Sequence, residues 1–442
     1  MRAPSLNELP PPPPGKVGWP WTEETPPVPE MRREGSAGPR ISIVTPSFNQ
    51  GCFIEETIRS ILLQAYPDLE FIVIDGGSTD ESVSIIRKYE QWLAFWVSEK
   101  DSGQADAINK GLTHATGEVC AYLNSDDVLF PMALRNVAAL FAKDSEATLV
   151  YGDCQIIDGS SRVGDLWVAP EFDIHELLFR CYLAQPATFW RRSQLSTIGT
   201  FNAGMHYAFD YEMWLRLAAA EKKLSHAPLT LAQHRKVEGT KTVSQPEAFT
   251  AEIVAALETF FRSPSLPLAL RSSESDAYAI AFLNHALLNF RLKNPTEGRD
   301  ALETAFHHSP DLLSRQRERV IRALVDNADP SGPLANARSY LELVCAQLPG
   351  SPRALRQLRG CALRRIEILH AGRSKDRDAL RQARRLLLPT LFGDSAWMRN
   401  HSVRSEILKI LIGKPALRRL AGLNQVLRTA RGAVPGTRKA NG

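Results

Sequence analysis

The sequence predicts an α/β domain built on a mostly parallel sheet and followed by an all-α domain, and three observations carry that prediction. From Arg40 onward, short β-branched or apolar runs alternate with amphipathic helical stretches, the pattern of strands joined by right-handed helical crossovers. Those runs end in clusters of small and polar residues, acids among them after the second and later runs, so polar groups collect at the carboxyl ends of the strands. Beyond about Ser275 the apolar spacing is helical, with no convincing strand.

The first strand is Ile41 to Thr45, closed by Pro46, and a helix from about Phe53 to Gln64 follows it. A second strand, Glu70 to Ile74, leads into a helix from Asp80 to Tyr89, and a third strand lies around Phe95 to Val97. A helix from Gln104 to Thr113 precedes the apolar run Glu118 to Leu123, which ends in Asn124-Ser125-Asp126-Asp127. Leu149 to Asp153 and the stretch to Ala169 read as antiparallel β-structure, and Tyr207 to Ala220 reads as a helix. The expected organisation is a Pro-rich disordered tail over 1–39, the α/β domain over 40–262, a helical domain over 275–430 and a basic flexible tail over 431–442. Within the helical part, Ala277 to Pro310 spans about one helix-turn-helix repeat and resembles a degenerate tetratricopeptide unit; without a second clean copy, a plain helical appendage is expected.

Composition narrows the class. The chain has 442 residues, 44% hydrophobic and 23% charged, which is ordinary for a folded globular protein of two domains. No apolar run reaches the roughly 18 residues that crossing a bilayer requires, and the start has no basic segment followed by an apolar core, so a cytoplasmic location is expected. The six cysteines are scattered without paired spacing, which argues against both a disulfide framework and a zinc site. The net charge of +4 hides an asymmetry: residues 351–442 hold about 21 Lys and Arg against about 5 Asp and Glu, leaving the rest near −12. A peripheral contact with an anionic membrane surface is one reading of the basic segment, and solvated helix faces are the other. No nucleic-acid-binding motif occurs, so no nucleic-acid partner is expected.

The paired acids carry the chemistry. Asp126 and Asp127 at the end of a buried strand supply hard oxygen ligands suited to Mn²⁺ or Mg²⁺, ions that bridge to a substrate's phosphates. Capping of the helix that begins near Pro131 explains the same two residues when they are read alone. Thr45-Pro46-Ser47-Phe48-Asn49 and Asp75-Gly76-Gly77-Ser78-Thr79-Asp80 bring polar groups, glycines and an aromatic to the same rim, as a nucleotide site requires; ordinary turn chemistry is the alternative for each alone.

Four motifs in order, these two with Ser98 to Gly111 and Leu123 to Asp127, resemble the family-2 glycosyltransferases of GT-A fold over roughly residues 40–245. The resemblance implies an inverting hexosyltransferase-type enzyme that uses a nucleotide-diphosphate sugar, UDP-sugar favoured, and a divalent metal, Mn²⁺ or Mg²⁺. It implies that Thr45, Phe48, Asn49 and Asp75 hold base and ribose, and that Asp101, Gly103, Gln104 and Asp106 open a helix facing the donor sugar or its phosphates. The first acid of the Asp-x-Asp form is Asn124 in this chain, so Asp127 is expected as the direct metal ligand and Asp126 as a second ligand or a ribose contact. Gly204 to Leu217 resembles the segment that carries the catalytic base, and Asp210 matches that base with Glu212 as its rival; Phe209 stands where the family often has an acid. Gln185, Trp190 and Glu212 are the expected acceptor contacts, and His234, before the Gly239-Thr240-Lys241-Thr242 loop, is a further metal or diphosphate ligand. The acceptor is a hydroxyl of a glycan or lipid-linked molecule, and the resemblance suggests cell-envelope polysaccharide synthesis. The alternative is a non-catalytic sugar-nucleotide-binding or scaffold protein.

Overall fold

The computed structural model describes residues 3–26, 38–237, 245–264, 266–329 and 332–373, together with Arg385 and Ile407. Strands are β1 (Ile41–Ser47), β2 (Leu69–Asp75), β3 (Phe95–Ser98), β4 (Val119–Tyr122), β5 (Val128–Leu129), β6 (Ala147–Ile157), β7 (Val163–Trp167), β8 (Thr188–Arg191) and β9 (Lys223–Arg235). Among them run helices α1 (Ile54–Leu62), α2 (Ser82–Tyr89), α3 (Gln104–His114), α4 (Ala133–Lys143), α5 (Ile174–Leu177), α6 (Leu195–Ile198) and α7 (Phe209–Ala219).

One mixed sheet runs β3-β2-β1-β4-β8-β6-β9-β5, with β7 on β6. Its first four strands are parallel, in the register Ser47 opposite Asp75 opposite Ser98, so their carboxyl ends form one continuous rim. β1 and β4 are also parallel, with Val44 opposite Tyr122, which sets Asn124 to Asp127 on that rim. β8 then enters antiparallel to β4, and β6 runs antiparallel to β8 and parallel to β9. This is the α/β GT-A class expected, with a helical region after it.

All seven residues of β1 are buried, as a strand covered on both faces requires. The helices on the faces bury one side each; α1 does so with Ile54, Ile58, Ile61 and Leu62. Gly111 in α3 stands where a Cβ would come within 2.3 Å of the Val44 side chain, so the helix lies directly on the strand.

The amino-terminal segment differs from expectation. Residues 3–26 pack on the sheet domain instead of forming part of a disordered tail. Leu9 and Trp21 are buried, and Trp19 Nε1 donates to the Leu129 carbonyl at 2.8 Å. The fully buried Arg59 of α1 donates to the carbonyls of Pro10, Pro20 and Trp21 at 2.8 to 3.1 Å, and lies over the Trp21 ring. A buried guanidinium needs acceptors, and this segment supplies them with main-chain oxygens that no helix or strand uses. Residues 27–37 lie outside the described part.

By compactness the chain divides into two units, Met1–His285 with Glu303–Pro310, and Ala286–Leu302 with the residues from Asp311 onward. The chain therefore passes from one to the other inside the helix Glu274–Arg291 rather than near residue 262. Helices Glu274–Arg291 and Pro295–His308 occupy the segment read as helix-turn-helix, and Arg317–Asn327, Leu334–Cys345 and Pro352–Arg373 follow. The proposed tail 431–442 and the end of the helical region lie outside the described residues. Among those described, no helix is long and apolar enough to cross a membrane. All six cysteines are free.

Candidate active site

The loop after β2 is organised around Asp75. Its fully buried carboxylate accepts from Gly77 N, Ser78 N and Ser98 Oγ on Oδ2 and from Ser78 Oγ on Oδ1, at 2.5 to 3.1 Å. Four donors nearly exhaust a carboxylate's lone pairs, so Asp75 shapes the rim more than it offers itself to a ligand. Asn49, in the left-handed region at φ 51°, knits the first two loops: its N–H donates to Ser78 Oγ and its Oδ1 accepts from Thr79 N. Phe48 beside it is 60% exposed, free to lie against a base. Thr45 is not available in that way, because it is fully buried and its Oγ1 has no partner.

The next loop joins this rim to the far side of the site. Gly76 approaches Asp101 so closely that a Cβ would stand 2.6 Å from Asp101 Oδ2. Asp101 Oδ1 in turn accepts from Gly103 N, at the start of α3. Gly103 has φ 121°, and a Cβ there would lie 3.0 Å from His206 Nδ1, so the amino end of α3 abuts the loop before α7. Gln104 Nε2 donates to Asn124 Oδ1 at 2.6 Å, while Asp106 is taken up by Ser102 N and Lys110.

Asn124 is the hub of the acidic loop. Besides receiving Gln104, its Nδ2 donates to Asp127 Oδ2 at 3.3 Å and to Gln185 Oε1 at 3.4 Å. Asp127 is fully buried and occupied: Oδ1 accepts from Arg235 N at 2.9 Å and pairs with His234 Nδ1 at 3.1 Å. Asp126 is half-buried, and its carboxylate has no side-chain hydrogen-bond partner among the described residues, only its own backbone amide. Burial and then the charge of Asp127 push its proton affinity up, so it is an acid short of a counter-cation. His234 is lowered by burial and raised by Asp127 and Asp126, with a net rise.

Asp210 stands in the first turn of α7, half-buried, its carboxylate held by backbone amides alone, the Tyr211 N–H at 2.7 Å and its own. Burial pushes it up to about 6, with Glu252 adding to the rise and His234 opposing it. The buried Tyr122 feels both Asp210 and Asp127, which raise its phenol further after burial has done so. Both carboxylates thus act on the one phenol at the end of β4.

Residues 42–192 match the family described as Glycosyl transferase family 2. A PGL/p-HBAD biosynthesis glycosyltransferase of Mycobacterium bovis is 32% identical over 184 residues, covering 41% of this chain and 70% of that protein. This chain belongs to glycosyl transferase family 2. An uncharacterized glycosyltransferase of Rickettsia typhi is 25% identical over 234 residues, 50% of this chain and 72% of the other. Among solved structures, S. aureus TarS 1-349 in complex with UDP-GlcNAc aligns at TM-score 0.47 and 18% identity, covering 75% of this chain and 90% of that one.

For this family-2 glycosyltransferase a divalent cation is implied, and the donors present fit one. Asp126 supplies an open oxygen, and His234, 30% exposed, engages Asp127 through Nδ1 and retains Nε2. Among the described residues no three His, Cys, Asp or Glu side chains group as a metal cage. A site of one carboxylate and one imidazole leaves most of the coordination sphere to substrate phosphate and water, as Mg²⁺ and Mn²⁺ sites on phosphate esters do. Asp127, the expected direct ligand, also anchors the loop, with Oδ1 on the β9 backbone and Oδ2 reached by Asn124 Nδ2 at 3.3 Å.

The expected acceptor contacts are corrected. Trp190 is 1% exposed within an aromatic cluster of Tyr122, Phe201 and Trp214, so it is core. Glu212 is buried and doubly bonded to Arg216 at 2.7 and 2.9 Å, which removes it as a rival base. Gln185 donates to the Tyr122 carbonyl and receives Asn124, a role inside the loop scaffold. The Gly239 to Thr242 loop lies outside the described residues.

One residue of the site was missed, and another was read only together with His234. Glu252, in the helix Pro246–Phe261, accepts from the amides of His206, Tyr207 and Ala208 at 2.6 to 2.8 Å and so fixes the entry to α7. Nothing in its local sequence marks it. Arg235 is fully enclosed, donating to the Asp126 carbonyl, the Asp158 carbonyl and Glu56 at 2.8 to 3.0 Å. Its signal was its place directly after His234.

Proposed function

We propose that this enzyme transfers a hexose with inversion from a nucleotide-diphosphate sugar, UDP-sugar favoured, to a hydroxyl of a glycan or lipid-linked acceptor. The reading rests above all on Asp210, a half-buried carboxylate with a raised proton affinity and no side-chain partner, across the site from the acidic loop. A group near pH 6 can take a proton from an attacking hydroxyl and still be ionised at neutral pH. Phe48 then carries the base on its exposed ring, and the α3 amino end with Asp101 and Gln104 borders the donor sugar. Asp126 and His234 hold the cation, which when bound supplies charge neutralisation for the departing diphosphate. Asp127 with Arg235 keeps Asp126 in place.

We assign the catalytic role to the α/β domain over 40–262 and read the helical region over 275–430 as an appendage. The mycobacterial relative's place in PGL/p-HBAD biosynthesis supports a cell-envelope acceptor. The basic composition of residues 351–442 supports work at the cytoplasmic face of the membrane.

The deciding experiment assays Asp210→Asn with a panel of sugar nucleotides in the presence of Mn²⁺ or Mg²⁺. Transfer and donor hydrolysis are expected to fall by roughly 10²–10⁴-fold while nucleotide affinity is kept. Near-normal turnover of the variant would remove Asp210 as the base.

A further inference from the structure

The second unit carries a cleft of about 590 Å³ lined by Arg317, Arg353, Arg356 and Arg364 around Gly360 and Cys361, with no carboxylate in its wall among the described residues. Arg353, Arg356, Gly360 and Arg364 fall on one stripe of the helix Pro352–Arg373, and Arg317 opens the helix Arg317–Asn327 opposite. Gly360, lacking a side chain, leaves the middle of that stripe open.

The arrangement runs against ordinary electrostatics in two ways. Four exposed guanidinium groups share one hollow, whereas the neighbouring Arg338, Arg359 and Arg365 each have a carboxylate in Glu367, Glu342 and Glu318. Arg317 and Arg353 also sit in the first turns of their helices, the positive ends, where cations are disfavoured and anions favoured. The Pro352–Arg373 helix has no acid in its first turn, and Glu318, the acid at the start of the other, is bonded twice to Arg365 at 2.8 and 2.6 Å. Among the described residues, Arg317 and Arg364 hydrogen-bond to the Cys361 sulfur, at 3.4 and 3.2 Å, which offers little charge in return.

We propose that this cleft is a binding site for a phosphate group. A tetrahedral oxyanion accepts from several guanidinium forks at once and would neutralise both the arginines and the helix ends. Chloride does neither with comparable directionality. The phosphate can come from an anionic lipid headgroup or from a soluble phosphorylated ligand. The site lies in the helical unit and does not depend on the assignment of the catalytic base.

Cys361 reports on the cleft and the exposed Cys52 serves as a reference in the same chain. The full chain is alkylated with iodoacetamide at matched ionic strength in chloride or inorganic phosphate, and each cysteine is followed by peptide mass spectrometry. Phosphate at about twice its dissociation constant is expected to slow Cys361 about threefold and leave Cys52 unchanged. The protection should vanish in Arg317→Gln/Arg356→Gln/Arg364→Gln and weaken in the single charge reversal Arg353→Glu, which leaves the sulfur contacts in place. Phosphatidylglycerol vesicles, with phosphatidylcholine as control, separate the sources: protection by the former at far lower phosphate concentration assigns a lipid surface, and protection by inorganic phosphate alone assigns a soluble ligand. Equal alkylation of Cys361 in chloride, phosphate and both vesicles overturns the proposal. So does protection that persists in the triple variant.

Discussion

The two sides of the catalytic rim treat their carboxylates differently. On the parallel side, after β2 and β3, Asp75, Asp101 and Asp106 all accept from amides or hydroxyls of their own loops. On the other side, beyond β4 and at the start of α7, Asp126 and Asp210 are half-buried, nearly unpartnered and raised in proton affinity. A carboxylate satisfied by neighbouring amides is a structural element, and one that is desolvated without partners is poised for a cation or a proton. On the function proposed here, the acids that shape the pocket and the acids that would act in it are told apart by their partners, not by their motifs.

The sharpest way to break this contrast is to titrate Asp210. As a base it must be ionised, so kcat/KM should fall about tenfold per pH unit below about 6 and be flat above. Stability gives an independent reading. Because the folded value lies above the ordinary unfolded value of about 3.9, the native state binds the extra proton between the two, and stability falls as pH rises through that window. Asp210→Asn should therefore melt higher than the parent above pH 6 and equally below pH 4. No pH-dependent gap would mean that the carboxylate is not desolvated.

Within the acidic loop, Asp126→Asn and Asp127→Asn should fail differently. The first should lose roughly tenfold to a hundredfold in metal affinity, read by titrating Mn²⁺ in the assay, with no loss of stability and, by the same linkage, a higher melting temperature above about pH 7. The second should destabilise the fold by about 1–3 kcal/mol in chemical denaturation, because the His234 pair and the Asn124 amide lose their charged acceptor. The opposite pattern would restore Asp127 as the direct ligand.

Arg59→Ala should cost about 2–4 kcal/mol and open residues 3–26 to protease, since three carbonyls lose their buried donor. The smallest effect belongs to Phe48→Ala. It should leave stability within about 0.5 kcal/mol and raise KM for the donor roughly threefold to tenfold, the worth of one stacking contact.

Much of this was legible in the chain. Alternation of apolar runs and amphipathic helices placed β1 to β4 and α1 to α3 within a residue or two, because strand burial on both faces leaves a continuous apolar run that composition alone reveals. The place of Asp210 in the first turn of an aromatic-rich helix was legible as well. What the chain did not show is that Asp127 is anchored to the β9 backbone while Asp126 is not, since adjacent acids in one motif look equivalent until their partners are seen. Trp190 and Glu212 were misread for a related reason: an aromatic or an acid near a site looks functional until its packing partners are known. The amino-terminal prolines looked unable to fold because they bring few apolar side chains, yet their carbonyls answer a buried arginine far along the chain.

Sequence alone determined the order of strands and helices, the family and the set of acids on the rim, because these follow from local periodicity and motif spacing. Tertiary structure alone decided which acid is open and which is anchored, and where Glu252 and Arg235 enter the site. It also brought Arg317 and Arg356 to one cleft across some forty residues of chain. The reason is physical: a carboxylate's solvation and hydrogen-bond partners come from segments far away in sequence, and they set whether it holds the fold or does chemistry.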